Sequence, residues 1–304
     1  MKISCPRLAL FALAALSFFS LSPSSLPASS EVTVIPNLTY AGPVGAEWKH
    51  QLDLYLPAGP LFAPAPVVFF VHGGGWITGD RQLGAGCYAN VGQAMARAGF
   101  VTVVPSYRLA AWPWSARHPD QVLDVLAALS WTYRNVARYG GDPRRMVAAG
   151  HSAGVQLVSL STLDRRYFAA AGLPPDLVKG IISVSGIFDL AQLATEGSAV
   201  EKIFNHDLLL TPAFGAEVSA YPAASPITYV RPGIPPYILI NGDQWTDHLL
   251  REQTAKFLPR LQSCRVPVRT FLARGEGHFS VIYHVNAPGN PTTRQMIDFV
   301  SGLF

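Results

Sequence analysis

Gly150-His151-Ser152-Ala153-Gly154 is the chain's strongest chemical signal. It fits the pattern G-x-S-x-G, and its surroundings fit as well. Met146-Val147-Ala148-Ala149 before it reads as a short buried strand, while Val155, Leu157, Val158 and Leu160 to Leu163 after it continue as an apolar helix. A strand-turn-helix of this kind puts the middle serine on a strained corner, with its hydroxyl raised and its N–H near a helix N-terminus. Flanking glycines suit such a corner, because side chains there would strike the neighbouring strand and helix. The plain alternative is a Gly-rich turn with an incidental serine, so the rest of the chain has to decide.

A second segment favours chemistry. Val67-Val68-Phe69-Phe70-Val71 is a β-branched and aromatic run that ends in His72-Gly73-Gly74-Gly75-Trp76. Three glycines let backbone approach a ligand closely and turn several N–H groups into one space. Acyl transfer needs such donors, because charge develops on the carbonyl oxygen in the tetrahedral intermediate. The expected oxyanion hole is the N–H groups of Gly74, Gly75 and Ala153. A phosphate-binding glycine loop is the competing reading, but no Lys-Ser or Lys-Thr follows.

A serine hydroxyl is a weak nucleophile near neutrality and needs a base, which in turn needs an orienting acid. The expected chain order is serine, acid, histidine. His278 in Gly275-Glu276-Gly277-His278-Phe279 follows the last expected strand and is the base candidate, with His284 expected on the next helix or turn. The acid should lie just past Tyr237-Ile238-Leu239-Ile240, within Asn241-Gly242-Asp243-Gln244-Trp245-Thr246-Asp247. Asp247 is preferred to Asp243, although an aspartate at a helix start can also be a simple N-cap. Asp189 is a third choice. Trp76, Trp112, Trp114 and Phe279 fall near the expected strand tips, and Trp76 is taken as a substrate-binding side chain, against the common alternative that aromatics are core.

The elements that must hold these residues follow from periodicity. Apolar runs alternate with helical patterns, which predicts an α/β fold with a mostly parallel sheet and helices on both faces. Leu52 to Leu56 alternates and ends at Pro57, so it reads as an antiparallel edge strand. Phe100 to Val104, Gly180 to Val184, Tyr237 to Ile240 and Val268 to Leu272 read as further strands. Pro119 to Tyr139 is the clearest helix, with Val122, Val125, Leu126, Leu129 and Tyr133 on one face and Gly140-Gly141 as its stop. Asp189 to Pro236 is rich in Pro, Ala and Ser and predicts a small helical cap rather than a full lid domain.

Of the 304 residues, 1–30 are expected to be a cleavable signal peptide and 31–304 one catalytic domain. Lys2 and Arg7 precede an apolar core from Leu8 to Leu21, which is short for a membrane span. The product is therefore expected to be secreted or periplasmic, without a stable membrane anchor. Cys5 would leave with the signal, and Cys87 and Cys264 remain as one possible disulfide. Asn37-Leu38-Thr39 is a glycosylation sequon, usable in a eukaryotic host. The net charge of +4 is modest and unclustered, which argues against nucleic acid as a partner. No cofactor and no metal are expected.

Together the segments resemble the α/β-hydrolase superfamily, in the group of hormone-sensitive-lipase-like esterases and kynurenine formamidase. The resemblance covers nearly all of Glu31 to Phe304. It rests on Leu52-Asp53-Leu54-Tyr55-Leu56-Pro57, His72-Gly73-Gly74-Gly75-Trp76 with Gly79-Asp80, and Ser106-Tyr107-Arg108-Leu109. Tyr139-Gly140-Gly141-Asp142-Pro143 and Gly150-His151-Ser152-Ala153-Gly154 complete it. Two departures stand out: Trp245 occupies the aspartate position of a G-x-x-D acid loop, and Val155 stands where many such esterases have glycine. The resemblance implies Ser152 as nucleophile, His278 as base, and Gly74, Gly75 and Ala153 as oxyanion donors.

The expected activity is a secreted serine esterase that cleaves short-chain carboxylic esters through an acyl-enzyme, with a small-molecule ester as its partner. An arylformamidase acting on N-formylkynurenine is the alternative within enzymes. A non-catalytic binding protein on a hydrolase scaffold is the alternative outside them, although such a relative would be expected to lose the serine or the histidine.

Overall fold

The computed structural model describes residues 31–42, 48–59, 63–111, 113, 115–198, 201–202 and 204–304. The proposed signal peptide, Trp112 and Trp114 lie outside the described residues. The strands are β1 (Thr33–Thr39), β2 (Gln51–Leu56), β3 (Ala65–Val71), β4 (Val101–Pro105), β5 (Gly141–His151), β6 (Val178–Val184), β7 (Tyr237–Gly242) and β8 (Val268–Ala273). They form a single sheet in the order β1-β2-β4-β3-β5-β6-β7-β8. The β1–β2 and β2–β4 pairings are antiparallel and the remaining pairings are parallel. This is the α/β-hydrolase fold.

Alternation along the strands builds both faces. Val67, Phe69 and Val71 of β3 point into one apolar layer, and Val68 and Phe70 into the other. The first layer is covered by α2 (Asp120–Asn135), α3 (Ala153–Leu163) and α7 (His248–Ser263). The second is covered by α1 (Leu83–Arg97), the short α8 (Ser280–Tyr283) and α9 (Pro291–Ser301). Two-sided cover explains why the central strands read as continuous apolar runs. Cys87 packs against the second layer and Cys264 against the first, so the sheet separates them and both thiols are free.

One placement differs from the sequence reading. β2 is an inner strand, because β1 adds outside it. Pro36 and Asn37 interrupt the periodicity of β1 and coincide with a register shift between Ile35 and Leu38, where Asn37 adopts a φ of 61°. Proline is tolerated on an edge strand, which lacks an outer partner. The Asn37 amide oxygen of the sequon accepts a hydrogen bond from the Arg81 guanidinium.

The stretch between β6 and β7 is a small helical excursion. It holds α5 (Leu190–Thr195), a π-helical segment Phe204–Leu210, α6 (Thr211–Phe214) and two 3₁₀ turns, Val218–Ala224 and Pro226–Tyr229. α4 (Arg165–Ala171) follows α3 and is capped by Asp164.

Candidate active site

The corner at Ser152 has the strain expected of a raised nucleophile. β5 ends at His151, Ser152 takes φ 54° and ψ −123°, and α3 starts at Ala153. A non-glycine residue with positive φ is costly and persists only where its surroundings fix it. Here the Ser152 N–H donates to the Val184 carbonyl over 3.0 Å, tying the corner to the tip of β6. On the other side the turn lies against the end of β3. A Cβ on Gly154 would sit 2.2 Å from the Val71 carbonyl oxygen and 2.4 Å from that of His72. Only glycine allows this approach, which brings the loop after β3 against the start of α3.

That loop is held open by its own glycines. Gly74 has φ 117°, and a Cβ there would overlap the Thr78 carbonyl oxygen. Its carbonyl accepts from the Ile77 and Thr78 N–H groups. The Gly73 N–H donates to the Tyr88 hydroxyl at 3.0 Å. The N–H groups of Gly74 and Gly75 have no protein acceptor among the described residues. Ala153, as the first residue of α3, has an N–H that no carbonyl within the helix can accept. Beneath the loop His72 is fully buried and stacks on Tyr107, with centroids 4.2 Å apart. Burial pushes the His72 imidazole down to about 3, so it is neutral.

His278, Asp247 and Ser152 meet at the strand tips. His278 Nε2 lies 3.1 Å from Ser152 Oγ, and His278 Nδ1 lies 2.9 Å from Asp247 Oδ1. Asp247 is fully buried, and its Oδ2 accepts from Ser185 Oγ at 3.0 Å, Asn241 Nδ2 at 3.1 Å and the Gly242 N–H at 2.8 Å. With its carboxylate so satisfied, Asp247 can hold the ring with Nδ1–H toward itself and Nε2 free to take the serine proton. Ser152 keeps 7% of its surface, enough to be reached from solvent.

The other acid candidates are elsewhere. Asp243 Oδ1 accepts from the Gly275 N–H at 2.8 Å, lacing the acid loop to the base loop. Asp189 caps α5 through the Gln192 N–H at 3.1 Å and pairs with Lys256 at 2.7 Å. His284 pairs with Glu276 at 3.0 Å, away from Ser152.

Trp76 does not present its ring to a substrate, which corrects the sequence reading. Its indole is fully buried, donates to Gln156 Oε1 at 2.9 Å and meets Phe214 edge-on at 4.9 Å. The glycine loop turns this side chain inward at φ 61°, into the seam between α3 and the cap. Gln156 completes the seam by donating to the Ala224 carbonyl at 2.8 Å. Phe279, by contrast, is 70% exposed and stands edge-on to His278 at 5.0 Å.

Sequence reasoning missed Ser185, Gln156, Tyr88 and Leu209. Leu209 of the cap reaches over the glycine loop, such that a Cβ on Gly75 would lie 2.8 Å from its Cδ2. Gln156 did carry a signal, as a lone amide within the apolar α3. Ser185 carried none, since its φ of 48° appears only in three dimensions.

Among the described residues no group of three or more His, Cys, Asp or Glu side chains is arranged to hold a metal ion, and no helix is long and apolar enough to cross a membrane.

The chain is similar to known proteins in sequence and in fold. Over 240 residues it is 31% identical to Esterase LipC of Mycobacterium tuberculosis (strain ATCC 25618 / H37Rv), covering 77% of this chain and 58% of that protein. It spans about half the length of the first curated relatives it matches. In fold it is like a truncated carbohydrate esterase from gut microbiota, with TM-score 0.72 and 21% identity over 89% of this chain and 96% of that one. It is also like an inhibited esterase B from Lactobacillus rhamnosis, with TM-score 0.73 and 23% identity over 90% of this chain and 87% of that one. The BD-FAE family model matches residues 52–260, most of the folded chain, and this protein belongs to the BD-FAE family.

Proposed function

We propose that this protein is a serine esterase that hydrolyses short-chain carboxylic esters through an acyl-enzyme intermediate. One observation carries the reading: Ser152 Oγ, the His278 ring and the Asp247 carboxylate form a continuous hydrogen-bonded line at the strand tips. His278 Nε2 removes the Ser152 proton as Oγ attacks the ester carbonyl. The N–H groups of Gly74, Gly75 and Ala153 stabilise the oxyanion, a contribution of about 3–4 kcal/mol per donor in comparable sites. His278 then passes the proton to the leaving alcohol and activates the water that frees the acid. Asp247 orients the ring throughout.

The names of similar proteins support ester cleavage: LipC is an esterase, and the structural neighbours are esterases. The compact cap between β6 and β7 favours short acyl groups in soluble esters. The apolar segment Leu8 to Leu21 behind Lys2 and Arg7 favours export to an extracytoplasmic space.

The test combines labelling with turnover. A p-nitrophenyl ester series from acetate to palmitate, run beside N-formylkynurenine, should show the fastest turnover on short esters. A phosphonate should modify Ser152, and Ser152→Ala should lose about 10⁶ in kcat. A Ser152→Ala protein that keeps a tenth of wild-type turnover would sink the assignment.

A further inference from the structure

His151, the residue between Gly150 and Ser152, uses both nitrogens of its ring. Nε2 lies 2.9 Å from the His278 carbonyl oxygen, and Nδ1 lies 3.1 Å from the Tyr88 hydroxyl. Tyr88 Oη in turn receives the Gly73 N–H at 3.0 Å. One hydrogen assignment satisfies every group. A carbonyl only accepts, so Nε2 carries the proton, Nδ1 accepts from the Tyr88 hydroxyl, and the phenol oxygen accepts from Gly73. Both side chains are almost fully buried, at 1% and 3% exposure, where an unpaired polar atom would be costly. Burial and the neighbouring His278 hold the His151 imidazole well below the usual histidine range, so the ring stays neutral.

We infer that His151 and Tyr88 are positioning residues that fix the His278 backbone and the oxyanion loop to the nucleophile corner. The assignment rests on the esterase reading. The two loops have no direct sequence connection: one follows β3, the other follows β8, and three strands stand between them in the sheet. His151 sits at the tip of β5, beside β3, and reaches both. The His151 ring also lies 4.7 Å from the His278 ring, centroid to centroid, so its bond to the His278 carbonyl acts at the base itself. On the other side the relay occupies the Gly73 N–H and leaves the next two N–H groups of the loop for an oxyanion. The fit is close, since a Cβ on Gly73 would lie 2.8 Å from His151 Nδ1 and 3.0 Å from Tyr88 Oη.

The two ring nitrogens can be tested apart. In H151N the amide oxygen stands near the old Nδ1 and keeps an acceptor for Tyr88, but the donor to His278 is gone. In H151Q the longer amide returns a donor near the old Nε2. Y88F removes only the hydroxyl. Turnover is measured per active site, with sites counted by phosphonate titration, so that partial unfolding is separated from slower chemistry.

H151N should lose about 10- to 100-fold in kcat per titrated site, with KM little changed, because small displacements of reacting groups cost rates of that order. H151Q should recover part of the loss, and Y88F should fall about tenfold. Wild-type turnover per titrated site in Y88F and H151N, with the damage confined to melting temperature or titratable fraction, would overturn the assignment. If H151N does not fold, Y88F alone decides. Absence of phosphonate labelling at Ser152 in the wild type would instead overturn the esterase reading, and this assignment with it.

Discussion

The Ser185 hydroxyl donates to Asp247 Oδ2 over 3.0 Å, joining the residue after β6 to the buried carboxylate after β7. Ser185 is fully buried at a φ of 48°, and its own N–H is held by the Ile240 carbonyl at 2.7 Å. The carboxylate is thus fixed from one side by Ser185, Asn241 and Gly242, leaving Oδ1 for the base. A bond to a charged acceptor contributes about 1.5–3 kcal/mol, so Ser185→Ala should slow kcat about tenfold or somewhat more. Steady-state kinetics with p-nitrophenyl acetate would show it, and an unchanged kcat would mean that Asn241 and Gly242 suffice.

The acid itself admits a sharper test. Asp247→Asn should lower kcat by roughly 10⁴, because the amide can hold the wrong imidazole tautomer. Asp243→Asn should be mild, since Asp243 laces two loops and does not touch His278. The reverse ranking would move the acid to Asp243.

These residues also show how far the sequence could be read. The Ser152 corner, the glycine loop and the histidine that meets Ser152 were legible because they are written in short contiguous motifs next to strongly apolar strands. The acid stayed open between Asp243 and Asp247, for chain order places it only within a loop, and the choice depends on which side chain turns inward. Trp76 was misjudged for a related reason: proximity to a strand tip says nothing about side-chain direction, and the positive φ that turns the indole into the cap seam is not visible in one sequence. β1 was hidden by Pro36 and Asn37, whose bulge breaks the period of two. The partners of Asp247 and His151 come from elements far apart in the chain, so no spacing rule could gather them.

Stability should depend on pH through two buried neutral imidazoles. Burial lowers His72 to about 3 and holds His151 well below the ordinary histidine range. Well above pH 6.5 both the folded and the unfolded chain are neutral at these sites. Below it the unfolded chain takes up protons that the folded protein excludes, so stability falls as the pH drops from 6.5 toward 3. The two together predict a loss of about 2 kcal/mol between pH 6 and pH 5. Guanidinium unfolding at both values checks this; half the loss would mean that one ring takes a proton in the folded state, and equal stabilities that both do.

Thiol chemistry should leave the protein largely indifferent. Cys87 and Cys264 lie on opposite faces of the sheet, and burial raises the Cys87 thiol to about 11. Mass spectrometry without reduction should find two free thiols in residues 31–304, and a reducing agent should leave the melting temperature unchanged. A drop in melting temperature on reduction would mean that the thiols pair between molecules or after rearrangement.

Acyl preference should be set in part by Leu209. Its side chain is half-buried on the π-helical segment of the cap and presses on Gly75, in the loop proposed to hold the oxyanion. An acyl chain leaving the carbonyl on that side would soon meet it, which favours acetyl to about butyryl or hexanoyl groups. Each methylene that finds apolar cover adds only ~0.8 kcal/mol, so kcat/KM should rise over a few carbons at most and then fall. Leu209→Ala opens the wall without touching Ser152, His278 or Asp247, and should move the maximum toward longer chains while leaving acetate turnover within a few fold. The acyl series on both proteins decides it. A wild-type maximum at palmitate, or a jump in rate above the micelle concentration of the substrate, would show that the cap opens and that Leu209 is no wall.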